Sequence, residues 1–410
     1  MKLLHTADIH LDSPLRSLAL RNAALRDTVQ AASRIALTRI VDAALSENVA
    51  AVLIAGDLFD GQERSAKTAA FLIGQLERLR PAGIQVFYIK GNHDAENPVT
   101  GEVTLPDHVH VFDGRGGKVQ IGNSDVFVHG ISFSGRHAPD SLLPKFGAPV
   151  AGAVNIAMLH SSLAGASGHD TYAPCSVSEL AGMGFDYWAL GHVHKRQVHG
   201  DKPWIVMPGI PQGRDIGEAD TKTATLLTIE DGTISVSEIV TSHVEFRALE
   251  IDTSQAADGD ALRRILRQSL RDEAERLQSD HAILRVTLAG RSPIGWTLLR
   301  DHEVWEETLA GLAEETGRLW IEKVRFDIDL APGGADTPSA VGELQALMQA
   351  IEGETSFQTA ILAEAEEMLA LLPPDRRQDL LREADSGATL ARALAETGAR
   401  HVTALMKGSA

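Results

Sequence analysis

The chain has 410 residues, 44% hydrophobic and 23% charged, a formal net charge of −18 and a single cysteine, Cys175. This composition suits a soluble globular chain of about two or three domains, and one cysteine excludes a disulfide framework or a thiolate metal site. No apolar run approaches the ~18 residues of a membrane span, and Met1-Lys2-Leu3-Leu4-His5-Thr6-Ala7-Asp8 turns polar too soon for a secretory signal, so a cytoplasmic location without a membrane partner is expected. Residues 1–245, 246–335 and 336–410 are each net acidic. No basic stripe of the kind that carries freestanding nucleic-acid binding is evident, so nucleic acid would have to be held by local contacts, metal ions or a partner.

In chain order, residues 2–6 are predicted as a strand ending in Ala7-Asp8-Ile9-His10-Leu11-Asp12. A helix is predicted over 22–45, where Leu25, Val29, Ala32, Ala36, Ile40 and Ala43 recur at helical spacing. A strand at 49–55 runs into Gly56-Asp57, a helix follows at 65–80 with Ser65 as N-cap and Pro81 closing it, and a strand at 84–89 leads to Gly91. This β-α-β-α-β order implies a parallel sheet with right-handed crossovers. Shorter strands follow at 108–112, 118–121, 126–133, 155–159 and 187–190, with a short helix at 176–183, then strands at 196–199, 204–207, 224–229 and 234–240. Parallel units first and antiparallel strands later predict two sheets packed face to face with helices outside. The pattern restarts near Val244 with strands at 246–251, 282–288 and 319–328 and helices at 261–277 and 304–315, a small α+β domain. Pro332 to Pro338 has linker composition, and the helical remainder is divided by Pro373-Pro374 into two segments, 341–372 and 376–406. The expected domains are therefore 1–245, a 246–335 cap and a 336–410 helical region.

Gly91-Asn92-His93-Asp94 sits at the C-terminal end of a strand, where open α/β sheets place ligands. Asp8-Ile9-His10, Gly56-Asp57-Leu58-Phe59-Asp60, His160 and Gly191-His192-Val193-His194 each also follow a strand-like run. Asp8 and His10 are two apart, as are His192 and His194, so on extended backbone each pair points one way and can reach one cation. Asp57 follows a glycine that permits a sharp turn, and its two oxygens could bridge two metals. With Asn92 and His160 the candidate ligands are all nitrogen and oxygen donors. They could hold two octahedral-like cations about 3.5–4 Å apart, as two-metal hydrolysis requires. Manganese is the first expectation; iron and zinc suit the same donors. His93, beside Asn92, is placed to protonate a leaving alkoxide, and Asp60 could fix its tautomer through a hydrogen bond.

These five blocks, in this order, resemble those of the calcineurin-like metallophosphoesterases. His5 to Pro14, Tyr172-Ala173-Pro174 and Asp186 to Arg196 further resemble the SbcD nuclease family, in particular its YhaO-type branch. The resemblance covers residues 1–240 well and is faint over 246–335. It implies an α/β fold with a four-layer core of two packed sheets flanked by helices, and a two-metal phosphodiesterase. One cation would take Asp8, His10, Asp57 and His194, and the other Asp57, Asn92, His160 and His192, with His93 as the catalytic histidine. The resemblance also implies a DNA exonuclease cutting from the 3′ end and nicking internally, in DNA repair or end processing, with a helical C-terminal segment that grips the coiled coil of an SbcC-like or YhaN-like ATPase. The position of Asp60 is typically histidine in the archaeal and eukaryotic nuclease relatives, so the strand-choice role proposed for that histidine does not carry over. Gly61 and Asp94 stand where protein phosphatases of the superfamily usually have arginine and glutamate.

Two other functions are weighed against this one: a small-molecule phosphodiesterase or phosphatase of the same fold, and a scaffold that has lost catalysis, although such a scaffold has no reason to keep every ligand type. A homodimer is left open. For substrate contacts, His169 and Tyr172 lie on a Gly- and Ser-rich loop, and Arg214 could clamp a phosphate or pair with a nearby acid. His5, His108, His110, His129 and His199 lie within strand-like runs and read as packed or exposed polar residues. The C-terminal helices either meet a partner or fold back on their own chain.

Overall fold

The computed structural model describes residues 1–13, 23–60, 65–96, 104–135, 137–163, 172–330, 340–384 and 386–407. His169 and the 332–338 linker lie outside the described residues. By internal contacts the chain divides into two compact units: one of 1–248, 274–284 and 318–322, the other of 249–273, 285–317 and 323–410.

The first unit opens with β1 (Lys2–Thr6), α1 (Ala23–Ser46), β2 (Ala51–Ala55), α2 (Ala66–Glu77), β3 (Gln85–Ile89), the one-turn helix α3 (Asn92–Glu96) and β4 (Val109–Val111). There follow β5 (Gly117–Gln120), β6 (Val126–Ile131), β7 (Val154–His160), α4 (Val177–Gly182), β8 (Tyr187–Gly191), β9 (Gln197–Asp201), β10 (Trp204–Met207), β11 (Thr223–Glu230) and β12 (Thr233–Val240). Among the described residues these strands make two six-stranded sheets, β12-β11-β1-β2-β3-β4 and β5-β6-β7-β8-β10-β9.

Side chains alternate along each strand, and that alternation builds the layers. Leu3, Leu53 and Phe87 of the first sheet pack against Val128, Ile156, Met158 and Val206 of the second. The opposite face of the first sheet, Leu4, Val52, Ile54 and Val86, is covered by Leu37, Ile40 and Val41 of α1 and Leu72 and Leu76 of α2. Ala157, Leu159, Trp188 and Ile205 on the outer face of the second sheet meet Leu180 of α4. The result is the four-layer α/β/β/α core expected from the sequence. Caps fix two of the helices: Ser65 accepts from Thr68 N at 3.3 Å, and Ser176 and Glu179 form a reciprocal capping box.

The sheet composition differs from the expected separation of parallel and antiparallel strands. β6, β7, β8 and β10 run parallel, whereas β11 and β12 return antiparallel to the first sheet. Both sheets are therefore mixed: β11 and β12 make the first so, and β5 and β9, antiparallel to β6 and β10, the second.

His5 is fully buried between the sheets, its Nδ1 2.9 Å from the Tyr187 hydroxyl and its Nε2 3.1 Å from the Leu190 carbonyl oxygen. Burial, partly offset by the Leu190 carbonyl, lowers its pKa from 6.5 to about 3. Between those values the unfolded chain binds a proton that the folded chain does not, so stability is lost as pH falls below 6.5 toward 3. At pH 4.5 this group should cost roughly 3 kcal/mol relative to pH 7.5. Urea unfolding at the two pH values checks this, and His5→Gln is expected to flatten the difference by about that amount.

The remaining elements are β13 (Val244–Asp252), α5 (Gly259–Arg276), β14 (His281–Gly290), α6 (Gly295–Arg300), α7 (His302–Glu314), β15 (Leu319–Ile328), α8 (Ala340–Glu352), α9 (Thr355–Ala370), α10 (Pro374–Glu383) and α11 (Gly387–Lys407), with sheet order β13-β14-β15. The helical region has four helices where two segments were expected, broken near Gly353 and before Gly387 as well as at Pro373-Pro374. Within the second unit α11 folds back: Arg400 Nη2 donates to Ile328 O at 2.7 Å, Lys407 Nζ sits 4.2 Å over the Trp296 ring, and the His302 and His401 rings meet edge-on at 5.1 Å. No helix among the described residues is long and apolar enough to cross a membrane.

Candidate metal centre

Five loops at strand ends bring the candidate ligands together. The stretch after β1 is zipped to the stretch after β2 by Asp8 N to Gly56 O (2.9 Å), His10 N to Asp57 O (3.1 Å) and Leu11 N to Leu58 O (3.0 Å). The loop after β8 joins them through His192 N, which donates to Asp8 Oδ2 at 2.9 Å and lies 3.1 Å from Oδ1. The turn after β3 joins through His93 N, which donates to Asp57 Oδ1 at 3.0 Å. Holding the side chains inward forces unusual backbone: Asp8 (φ 51°), His10 (φ 43°), Asp57 (φ 50°) and His192 (φ 106°) all have positive φ. A positive φ at a non-glycine residue carries strain, and a concentration of it marks a functional constraint.

The donors converge in groups that could hold metal ions: Asp8, His10 and His194; Asp57, His160 and His192; and His10, Asp60 and His93. His160 Nδ1 donates to Ala55 O at 2.9 Å, and its Nε2 lies 3.1 Å from Asn92 Oδ1 and 3.3 Å from Asp57 Oδ2. His10 Nε2 faces His194 Nε2 at 3.2 Å. Two imidazole nitrogens turned toward each other beside a carboxylate, and an imidazole nitrogen turned toward two oxygens, are what a cation-binding donor set presents, so these residues fit divalent metal ions.

The electrostatics follow from burial and proximity. Burial opposes ionisation of Asp57, but His160, then His10 and His93, hold its carboxyl below the usual carboxylate range. Burial also works against protonation of His160, which Asp57 and Asp8 nevertheless raise to about 9. Burial lowers the His93 pKa against the pull of Asp57. Asp60 is held low chiefly by His10. Its Oδ1 lies 3.6 Å from His10 Nδ1 and 3.7 Å from His93 Nδ1, so the expected hydrogen bond to His93 is not formed at this length and the carboxylate stands between two imidazoles.

Tyr172 is buried, edge-on to His192 with ring centroids 5.1 Å apart and stacked on Phe133. Arg214 pairs with Glu218, Nη2 to Oε1 at 2.8 Å, which is the nearby-acid alternative. The histidines expected to be packed or exposed polar residues have other partners: His108 Nε2 lies 3.0 Å from Leu76 O, His129 Nε2 3.0 Å from Asn155 Oδ1, and His199 Nε2 3.1 Å from Gln197 Oε1.

Sequence reasoning missed two acids. Asp94 is fully buried and accepts from Leu58 N (2.9 Å), Phe59 N (3.0 Å) and Gly91 N (3.1 Å), clamping the loop after β2 to the turn after β3. Burial and the Asp57 charge push its pKa up to about 6. Its place after His93 was visible, but not its clamping role. Glu218 accepts from His194 Nδ1 at 2.6 Å, and no motif points to it.

A Cβ at Gly91 would lie 2.2 Å from Asp57 Oδ1 and 2.8 Å from His160 Nε2. Gly91→Ala is therefore expected to cost about 1–3 kcal/mol in urea unfolding, as overpacking does. Gly74→Ala, where nothing lies within 4 Å of the added Cβ in helix α2, should instead stabilise by about 0.5–1 kcal/mol.

The comparisons with known proteins agree with this geometry. The calcineurin-like phosphoesterase family model matches residues 1–196, and the model of the middle domain of metallophosphoesterase YhaO matches residues 246–329. The chain is 31% identical over 317 residues to a Bacillus subtilis (strain 168) protein named uncharacterized metallophosphoesterase YhaO, covering 76% of this chain and 77% of that one. This chain belongs to the calcineurin-like metallophosphoesterases. The metallophosphoesterase is thus a metal-dependent phosphoester hydrolase, and its donor clusters are candidates for holding divalent cations. It is also 28% identical over 210 residues to a DNA double-strand break repair protein Mre11 from Sulfolobus acidocaldarius, spanning 48% of this chain and 50% of the relative. Among solved structures, a dimetal phosphatase from Danio rerio matches at 11% identity with a TM-score of 0.37, covering 59% of this chain and 98% of that one.

Proposed function

We propose that this metallophosphoesterase is a two-metal phosphodiesterase that degrades DNA from the 3′ end, with a capacity to nick internally, and that it works in the cytoplasm in DNA repair or end processing. The observation that supports this most is the convergence of Asp8, His10 and His194 beside Asp57, His160 and His192, on loops held in positive φ at four of those six positions. Asp8, His10, Asp57 and His194 would hold one cation, and Asp57, Asn92, His160 and His192 the other, with manganese as the metal. Bound there, the cations would supply Lewis-acid polarisation of phosphoryl oxygens and lower the pKa of water. His93, 36% exposed at its side chain, would be the group open to substrate and would protonate the leaving oxygen, with the Asp60 carboxylate 3.7 Å from its Nδ1 supporting the charge of the protonated ring. Tyr172, edge-on to His192, is one of the proposed substrate contacts. His169 and Arg214 complete the proposed substrate contacts. Residues 1–245 would form the catalytic domain, 246–335 a cap that helps hold duplex, and 336–410 the partner-binding region.

The DNA assignment draws support from the Mre11 relatives. The chain's acidity calls for positive charge from elsewhere, and an SbcC-like or YhaN-like ATPase would supply it. Among the described residues, twelve large apolar side chains are exposed, and eight of them (Leu347, Met368, Leu371, Leu380, Leu394, Val402, Leu405 and Met406) lie between Ala340 and Lys407. Exposed apolar side chains gathered in one region of the chain suit a protein partner. Met368 and Leu371 are 67% and 86% exposed, so the double substitution Met368→Glu and Leu371→Glu should leave the melting temperature unchanged and abolish co-purification with the ATPase. Capture at the unmodified level would count against this region as the contact.

The function is tested by manganese-dependent digestion of end-labelled duplex and single-stranded DNA beside bis-p-nitrophenyl phosphate. A 5′-labelled duplex should shorten progressively from its 3′ end. Hydrolysis of the small diester with intact DNA would point to a small-molecule enzyme, and inertness toward both to a scaffold.

A further inference from the structure

Glu218 closes a short turn (Ile216–Glu218) between β10 and β11. Its side chain is 14% exposed, and its carboxylate is held from several directions. Oε1 accepts from His194 Nδ1 at 2.6 Å and from Arg214 Nη2 at 2.8 Å, while Oε2 accepts from Arg214 backbone N at 2.8 Å. The turn itself is fixed by Asp215, whose Oδ1 accepts from Gly217 N at 2.7 Å. Its close packing is evident at Gly213, where a Cβ would meet Glu218 O at 2.6 Å.

Arg214 Nη2 also lies 3.0 Å from His194 Nδ1, but it donates to Glu218 Oε1 at 2.8 Å, and the closer carboxylate at 2.6 Å can only accept, so Nδ1 carries the proton. With the proton on Nδ1, the Nε2 lone pair is free, and Nε2 is the atom that faces His10 Nε2 at 3.2 Å. The second cluster is backed differently: His160 donates its Nδ1 proton to the main-chain oxygen of Ala55. One histidine thus leans on a charged side chain that substitution can remove, and the other on a neutral carbonyl that it cannot.

We propose that Glu218, locked by Arg214, is a positioning residue for His194: it fixes the ring and its tautomer so that Nε2 is presented to a divalent cation, and it strengthens that nitrogen as a donor. The inference rests on the reading of His194 as a metal ligand. It predicts an asymmetry, since loss of Glu218 should weaken one of two metal-binding steps and leave the other alone.

The experiment is a manganese titration of the metal-free full-length chain, following free Mn²⁺ by electron paramagnetic resonance, for the unmodified protein, Glu218→Ala, Glu218→Gln and His194→Ala. Glu218→Ala should weaken one step about 10–100-fold. Glu218→Gln, which keeps an acceptor oxygen and loses the charge, should fall between, with the melting temperature of the metal-free protein unchanged. Wild-type affinity at both steps in both Glu218 variants, with one step lost in His194→Ala, would overturn the role of Glu218 alone. Retention of both steps in His194→Ala would overturn the ligand reading beneath it. A lowered metal-free melting temperature in Glu218→Gln with both steps weakened equally would assign Glu218 a purely structural role and also overturn the proposal.

Discussion

Replacing His93 with alanine is expected to leave both cations bound and to lower turnover by about 10²–10⁴-fold, the usual contribution of a general acid. His93 N donates to Asp57 Oδ1 at 3.0 Å, a backbone contact with the proposed shared ligand that alanine keeps, and the ring itself stands outside the two proposed ligand sets. What alanine removes is a ring packed edge-on to His10 with centroids 5.0 Å apart and open to solvent on its other side. Metal content and bis-p-nitrophenyl phosphate turnover should therefore diverge in this variant. A cation missing from it would make His93 a ligand instead of the proton donor.

Asp57→Asn should have the opposite signature, losing the metals with the fold retained. Asn tolerates the left-handed backbone that this position adopts at φ 50°, and its amide oxygen can still accept from His93 N. The lost charge is the one the His160 ring faces at 3.3 Å, and Asp57 is the residue the proposed ligand sets share. If Lewis-acid assistance is worth several kcal/mol, activity should fall by at least about 10³-fold. Two tightly held cations in Asp57→Asn would contradict the shared-ligand assignment.

Local signals carried most of the fold. Ala51–Ala55 and Tyr187–Gly191 are buried throughout and run into loops that bear candidate donors, so these strand ends and the candidate ligands could be read together. The strand pairing could not. β9 and β10 are legible as two strands, but nothing in their residues shows that they pair with each other or that β10 also lies parallel to β8, because that pairing is settled by tertiary packing. The helix breaks near Gly353 and Ser386 left only small cues, a glycine and a serine whose Oγ accepts from Thr389 N at 3.2 Å. Glu218 was hidden for a related reason: His194, its partner, is 24 residues away, and neither residue's neighbours show a period. Asp94 stood in plain view beside His93, yet its three backbone partners belong to two loops that only folding brings together.

The central claim is that phosphodiester hydrolysis depends on two cations held by these loops. The most direct measurement is a titration of metal-free protein with Mn²⁺ in which bound metal and bis-p-nitrophenyl phosphate hydrolysis are read from the same samples. The expected result is no turnover without metal and a rise that levels off at two cations per chain. Hydrolysis that survives complete chelation, or that is already maximal at one cation per chain, would contradict it.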